Sequence, residues 1–148
     1  MVYQSAISNF NKYVYLGVII LLLLLTTPAF FEETIAPLLV IGLIDSIIII
    51  FLIWIYKTTY YTLKDETLFW KSGPFYGKIK VHSITKIAHH NGIIVPTIWK
   101  PALSHIGLIV TYNKFDDIYI SPEKSEEFLA ELIRINPNIT IKNTAYVE

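Results

Sequence analysis

The chain has no cysteine, which excludes a disulfide framework, a thiolate metal site and a cysteine nucleophile. Glycine is scarce: six residues, none adjacent to another, so no glycine-rich phosphate loop is available. Gly-x-Ser-x-Gly, Walker and His-Glu-x-x-His patterns are absent as well. Charged residues make up only 16% and cancel to a formal net charge of zero, so the total charge implies no nucleic acid or other polyanionic partner. Histidine is limited to His82, His89, His90 and His105. On a strand the adjacent His89 and His90 point to opposite faces, which leaves a metal site only if His82, His90 and a carboxylate converge. A non-enzymatic protein with no cofactor is expected.

What the chain has in excess is apolar length. Hydrophobic residues make up 53%, and they are concentrated near the N-terminus. Between Tyr13 and Tyr56 the only ionisable groups besides tyrosine are Glu32, Glu33 and Asp45. Residues 13–31 and 36–56 are each about 20 residues long, enough at 1.5 Å per residue to cross a hydrocarbon core of roughly 30 Å. Only a helix satisfies its backbone polar groups within one such segment. The connector Glu32-Glu33-Thr34-Ile35 is too short for anything but antiparallel neighbours, and Pro28 and Pro37 flank it. Lys12 precedes the first span, Lys57 and Lys64 follow the second, and the connector carries no positive charge. The positive-inside rule then puts both termini in the cytoplasm and the acidic connector outside, as a multi-pass cell-membrane protein. Two other readings compete. The runs could be buried core helices, or residues 1–29 a cleaved signal peptide ending at Thr27 and Ala29.

Asp45 falls near the middle of the second span, where a carboxylate costs about 2.5–3.5 kcal/mol and marks a functional candidate. In an antiparallel hairpin it lies level with about Leu24, within a turn of Thr26 and Thr27. These three form the intramembrane polar candidate, either as a hydrogen-bonded cluster across the hairpin or as a contact for a partner in the membrane.

Residues 1–57 thus form an N-terminal segment and hairpin, and 58–148 one small cytoplasmic domain. Strands are expected at 58–63, 67–71, 75–81 and 83–89, the last bulged or partly irregular, then 103–112 and 117–120, with 139–141 short and extended after the helix. Asn91-Gly92 signals a turn, and 93–101, with two prolines, a loop or edge strand. A helix follows, with Ser121 as N-cap and Pro122 at its first position. Phe128, Leu129, Leu132 and Ile133 form its apolar stripe, and Asn136-Pro137 its end. The plan is membrane-anchored α+β: six or seven antiparallel strands in meander order, closed by one C-terminal helix. Residues 57–100 hold seven lysines against Asp65 and Glu66, and residues 101–148 hold four basic and seven acidic groups. Lys57, Lys64, Lys71, Lys78 and Lys80 are therefore candidates for holding the domain against anionic lipid, at about 1 kcal/mol each.

These residues also resemble a known family. Thr59-Tyr60-Tyr61-Thr62-Leu63 and Leu68-Phe69-Trp70-Lys71-Ser72-Gly73 are similar to the opening hairpin of the bacterial YyaB-like pleckstrin-homology-like (PH-like) domains. So are Ile79-Lys80-Val81 with Ile84 and Ile87, and Ala102-Leu103-Ser104 leading to Leu108–Tyr112. The fullest match is Ile118-Tyr119-Ile120-Ser121-Pro122 followed by Phe128, Leu132, Asn136-Pro137 and Ile139. One departure is His105-Ile106-Gly107, where family members often carry an Asp-Arg pair. Two N-terminal spans ahead of such a domain resemble the layout of membrane-anchored bacteriocin immunity factors of the sublancin type. The resemblance implies protection of a producer cell at its cytoplasmic membrane. Its partners would be the lipid bilayer and a bacteriocin peptide or that peptide's membrane target. The alternative is a membrane-tethered binding or scaffold module.

Overall fold

The structure, a computed structural model, describes residues 1–31 and 34–143. Glu32 and Glu33 of the expected acidic connector lie outside the described residues. Helix α1 (Asn9–Leu25) begins four residues before the expected span, because the Ser8 hydroxyl accepts the Asn11 N–H at 3.2 Å and caps it. A 3-10 turn over Thr27–Phe31 takes in Pro28. Helix α2 (Ala36–Lys57) opens with Pro37 in its first turn, where a missing N–H costs nothing. The stretches 9–31 and 36–57 have mean hydropathies of 2.4 and 2.9, and both are long and apolar enough to cross a membrane. Only 6% of each most apolar window is buried, which sets aside the core-helix reading.

The two helices meet along a narrow seam. On α1 and its C-cap the half-covered positions are Asn11, Tyr15, Ile19, Leu22 and Thr26, at three- and four-residue steps. On α2 they include Leu38, Ile41, Asp45, Ile48, Leu52 and Tyr56. Tyr15 and Tyr56 pack edge to face, with ring centroids 5.7 Å apart.

Among the described residues eight strands form two four-stranded sheets: β1 (Val2–Gln4), β2 (Tyr60–Lys64), β3 (Thr67–Ser72) and β4 (Phe75–Lys80), then β5 (Ile84–Asn91), β6 (Ile106–Tyr112), β7 (Asp116–Ile120) and β8 (Thr140–Asn143). The spatial orders are β1-β2-β3-β4 and β7-β6-β5-β8. A two-residue turn, Asp65-Glu66, joins β2 to β3 with both residues at positive φ, the geometry that suits strand twist. The expected bulge in the fifth strand is present, between Ile84 and Lys86.

Two features depart from the expected meander. Val2–Gln4 pairs antiparallel with β2, so the segment before the hairpin contributes to the sheet and is not simply part of an anchor. This strand also opposes the signal-peptide reading, since a cut after Ala29 would remove β1 and the buried Tyr3. The last strand, β8, lies parallel to β5, which the chain reaches only after the crossover through helix α3 (Ser125–Ile135).

The core lies between the sheets and α3. Tyr61, Leu68, Val81, Ile87, Leu108, Val110 and Ile118 fill it from the strands, and Phe128, Leu129 and Leu132 from the helix. Tyr3 meets Phe128 edge to face at 5.1 Å, which explains why so short a strand is held. The buried Asn136 ends α3 as expected and donates to the carbonyls of Val81 and Ile84, each at 3.1 Å, stapling the helix end to the corner between the sheets. The start of α3 differs from expectation. The helix begins at Ser125 after Lys124, and Ser121, buried, is hydrogen-bonded elsewhere.

Candidate functional site

The chain enters and leaves the hairpin at one end of the domain, and two polar clasps fix that end. Thr58 and Thr59 are all that separates α2 from β2. Their hydroxyls donate to the carbonyls of Trp54 and Ile55, each at 2.7 Å, extending the helix end. The same hydroxyls reach the β3–β4 turn: Gly73 N–H donates to Thr58 Oγ1 at 3.1 Å, and Thr59 Oγ1 lies 3.0 Å from Ser72 Oγ. Gly73 sits at φ +58, and a Cβ there would fall 2.7 Å from Ile55 Cγ1, so only glycine lets this turn close on α2. The second clasp is at α1, where Ser8 Oγ lies 3.0 Å from His105 Nδ1 and the Phe10 and His105 rings pack edge to face. The β3–β4 turn and the long loop between β5 and β6 therefore both abut the roots of the hairpin.

Behind the clasps lies a buried polar node. Tyr61 Oη donates to the Pro101 carbonyl at 2.6 Å and accepts the Ser121 N–H at 3.0 Å. Ser5 Oγ lies 2.9 Å from Ser121 Oγ and accepts the Leu103 N–H at 3.1 Å. Ala6 N–H donates to the Ser121 carbonyl. Burial raises the Tyr61 phenol above its ordinary range, against the lowering effect of its bonds to Ser121 and Ser5. Tyr119, which donates to the Ser104 carbonyl at 3.0 Å, is raised by burial and secondarily by Tyr61. The node joins β1, β2, the β5–β6 loop and the end of β7, so the roots of the hairpin are tied to every part of the domain they pass.

Asp45 is 7% exposed, and among the described residues its Oδ2 has no hydrogen-bond partner. The expected cross-hairpin bond is not made. The Thr26 and Thr27 hydroxyls donate instead to their own helix, at the Leu23 and Leu24 carbonyls, because a short hydroxyl reaches its own preceding turn before it reaches a neighbour. A buried carboxylate thus faces the seam without a polar partner.

The lysines divide. By strand register, Lys64, Lys71, Lys78 and Lys80 share the outer face of the first sheet with Tyr60, Phe69 and Tyr76. They are staggered along it. Lys71 lies beside the clasped turn, whereas Lys80 is five residues beyond Phe75, about 16 Å along the strand and further than a Debye length of about 8 Å. Lys57, the last residue of α2, belongs to the hairpin root. His82 and His90 do not converge: His82 pairs with Glu66 at 3.1 Å at the far end, and His90 packs on Tyr119 near the clasps. Among the described residues no three metal-ligating side chains come together. Sequence reasoning missed Ser5, Ser8, Thr58 and Thr59. Their only signal was a small hydroxyl residue on each domain-side flank of the apolar runs.

Two curved four-stranded sheets with one C-terminal helix packed over them, joined at one end to an apolar helical hairpin, define a PH-like domain on a two-helix stalk. The bacterial PH domain family model matches residues 59–136, more than half of the chain, and the protein belongs to that family. β1 and β8 fall outside the matched stretch. No curated protein matches the chain.

Proposed function

We propose that the protein is a non-enzymatic, membrane-tethered PH-like module that gives its cell immunity to its own sublancin-type bacteriocin, acting at the cytoplasmic membrane. The observation that carries the tethering is the absence of slack. Two threonines link helix to sheet, both clasped, and β1 anchors the other root. A domain fixed this way holds its surfaces next to the bilayer and to whatever moves in it. The apolar helices are almost wholly uncovered by protein, and lipid is the solvent that suits such a surface. The excess of lysine flanking the spans favours a cytoplasmic domain. The immunity role is supported by the layout, two spans ahead of a PH-like domain, and by the unpartnered Asp45 in the seam. Its partner is a bacteriocin peptide or that peptide's membrane target, with no nucleic acid and no cofactor.

Expression in a bacteriocin-sensitive strain tests the proposal. Survival is expected with the full chain and not after removal of residues 58–148. Unchanged killing across several bacteriocins refutes immunity. The second reading, a scaffold for another partner, is favoured by the edge of β4, which among the described residues pairs on one side only and could accept an added strand.

A further inference from the structure

The loop between β5 and β6 carries its apolar side chains outward, although the loop is firmly held. Val95 is buried, Trp99 forms a parallel bridge to Ile118 of β7 with its carbonyl accepting the Tyr119 N–H, and the Pro101 carbonyl accepts from Tyr61. Just before Val95, Ile93 and Ile94 are 71% and 87% exposed, and between Val95 and Trp99, Ile98 is 93% exposed. The Trp99 ring lies 6.5 Å from that of Phe75, which begins β4 just past the clasped turn and is half exposed. The patch is thus shared by the two segments that abut the hairpin roots, through Gly73 on Ile55 and His105 on Ser8 and Phe10. Scattered surface hydrophobics need no explanation, but three exposed isoleucines on one pinned loop, next to Trp99, do.

Charge points the same way. From Thr67 to Phe115 the chain contains no aspartate or glutamate, and it contains six lysines. No carboxylate of these segments would be repelled by an anionic leaflet or desolvated against it. Tryptophan beside aliphatic side chains suits the headgroup boundary, where one part of the ring is wet and the other dry.

We infer that the β5–β6 loop and the start of β4 dock into the headgroup boundary of the same bilayer that holds the hairpin, with Ile94 and Ile98 inserted below the headgroups. This rests on the tethering proposed above. The domain is then a lipid-seated body with a fixed face toward the membrane, and its opposite end, at the Asn113–Phe115 turn, is the end free for a soluble partner.

The native absence of cysteine makes the test direct. Single Ile94→Cys, Ile98→Cys, Phe115→Cys and Ile50→Cys variants of the full chain are labelled with an environment-sensitive fluorophore. Each is reconstituted in phosphatidylcholine–phosphatidylglycerol vesicles, with and without lipids bearing a nitroxide near the headgroup or deep in the acyl chain. The labels at 94 and 98 should emit in the blue and lose roughly half their intensity to the shallow nitroxide, while the label at 115, which replaces a side chain 82% exposed, should do neither. The label at 50 should respond to the deep nitroxide. If 50 responds while 94 and 98 behave like 115, docking is refuted and the tether stands. If 94 and 98 turn blue but no lipid quencher reaches them, a second copy or another protein covers the patch and docking is again refuted. If 50 itself is untouched by either quencher, the tether fails and docking fails with it.

Discussion

Removing one oxygen from the core should show how strongly the polar node holds the domain to its stalk. Tyr61→Phe leaves packing against Phe128 unchanged but takes away the acceptor of the Ser121 N–H and the donor to the Pro101 carbonyl, both in the interior. A buried backbone group left without a partner costs about 1–3 kcal/mol, so two give roughly 2–6 kcal/mol. For a domain of this size each kcal/mol lowers the melting temperature by about 4–8 °C, which sets a minimum drop of about 8 °C. The assay is thermal unfolding of the full chain in detergent micelles, followed by the fluorescence of Trp70 and Trp99, with Trp54 in the stalk as a steady background. Ser5→Ala is the companion variant. It should cost less, because the Leu103 N–H retains Ser121 Oγ at 3.3 Å as an acceptor. The two should be non-additive, since they share one network. A Tyr61→Phe midpoint within about 2 °C of the parent would refute the reasoning, since it would mean that both backbone groups find other partners.

Three further outcomes follow from the same geometry. Because burial holds the Tyr61 and Tyr119 phenols above their ordinary 10.0, the folded chain keeps protons that the unfolded chain releases at alkaline pH. Stability from these groups is therefore fully present below pH 10 and declines as pH rises past it; Tyr119→Phe should flatten that decline in an unfolding-versus-pH series. Gly73→Ala should destabilise the clasped turn by about 1–2 kcal/mol from its left-handed backbone alone, before any displacement of Ile55, and an unchanged urea midpoint would count against the clasp. Asp45→Leu should ease membrane insertion by about 2.5–3.5 kcal/mol yet lose protection in the killing assay, whereas Asp45→Asn should keep it; full protection by the leucine variant would make Asp45 a tolerated residue and nothing more.

Much of the architecture was legible because its signals are long. The apolar runs, the alternation through Tyr61, Leu63, Leu68 and Ile79, and the helical spacing of Phe128, Leu129 and Leu132 each repeat several times. The parts that escaped are short or non-local. Val2-Tyr3-Gln4 offers one buried side chain and no period, and it is a strand only because β2 and Phe128 wait 56 residues or more away. Ser121-Pro122 carries a helix-start signal, but Ser5 and Tyr61 compete for that serine and its amide, and the helix starts four residues later. The lysine candidates were readable as a set, yet their stagger depended on where the β3–β4 turn meets Ile55. The candidate Asp45 was visible by charge alone; that Thr26 and Thr27 turn away from it was not.

The pairing of Val2–Gln4 with Tyr60–Lys64 has a consequence for biogenesis. β1 precedes the stalk in the chain and cannot find β2 until the stalk has been made, so with the tethering proposed above the two can meet only on the same side of a bilayer. An even number of crossings is thus a condition for closing the sheet: a chain that threaded once would strand its first residues across the lipid from their partner, with Phe128 lacking the ring that packs on it. The fold in this way checks its own insertion, and misthreaded copies would present an unfinished sheet to quality control.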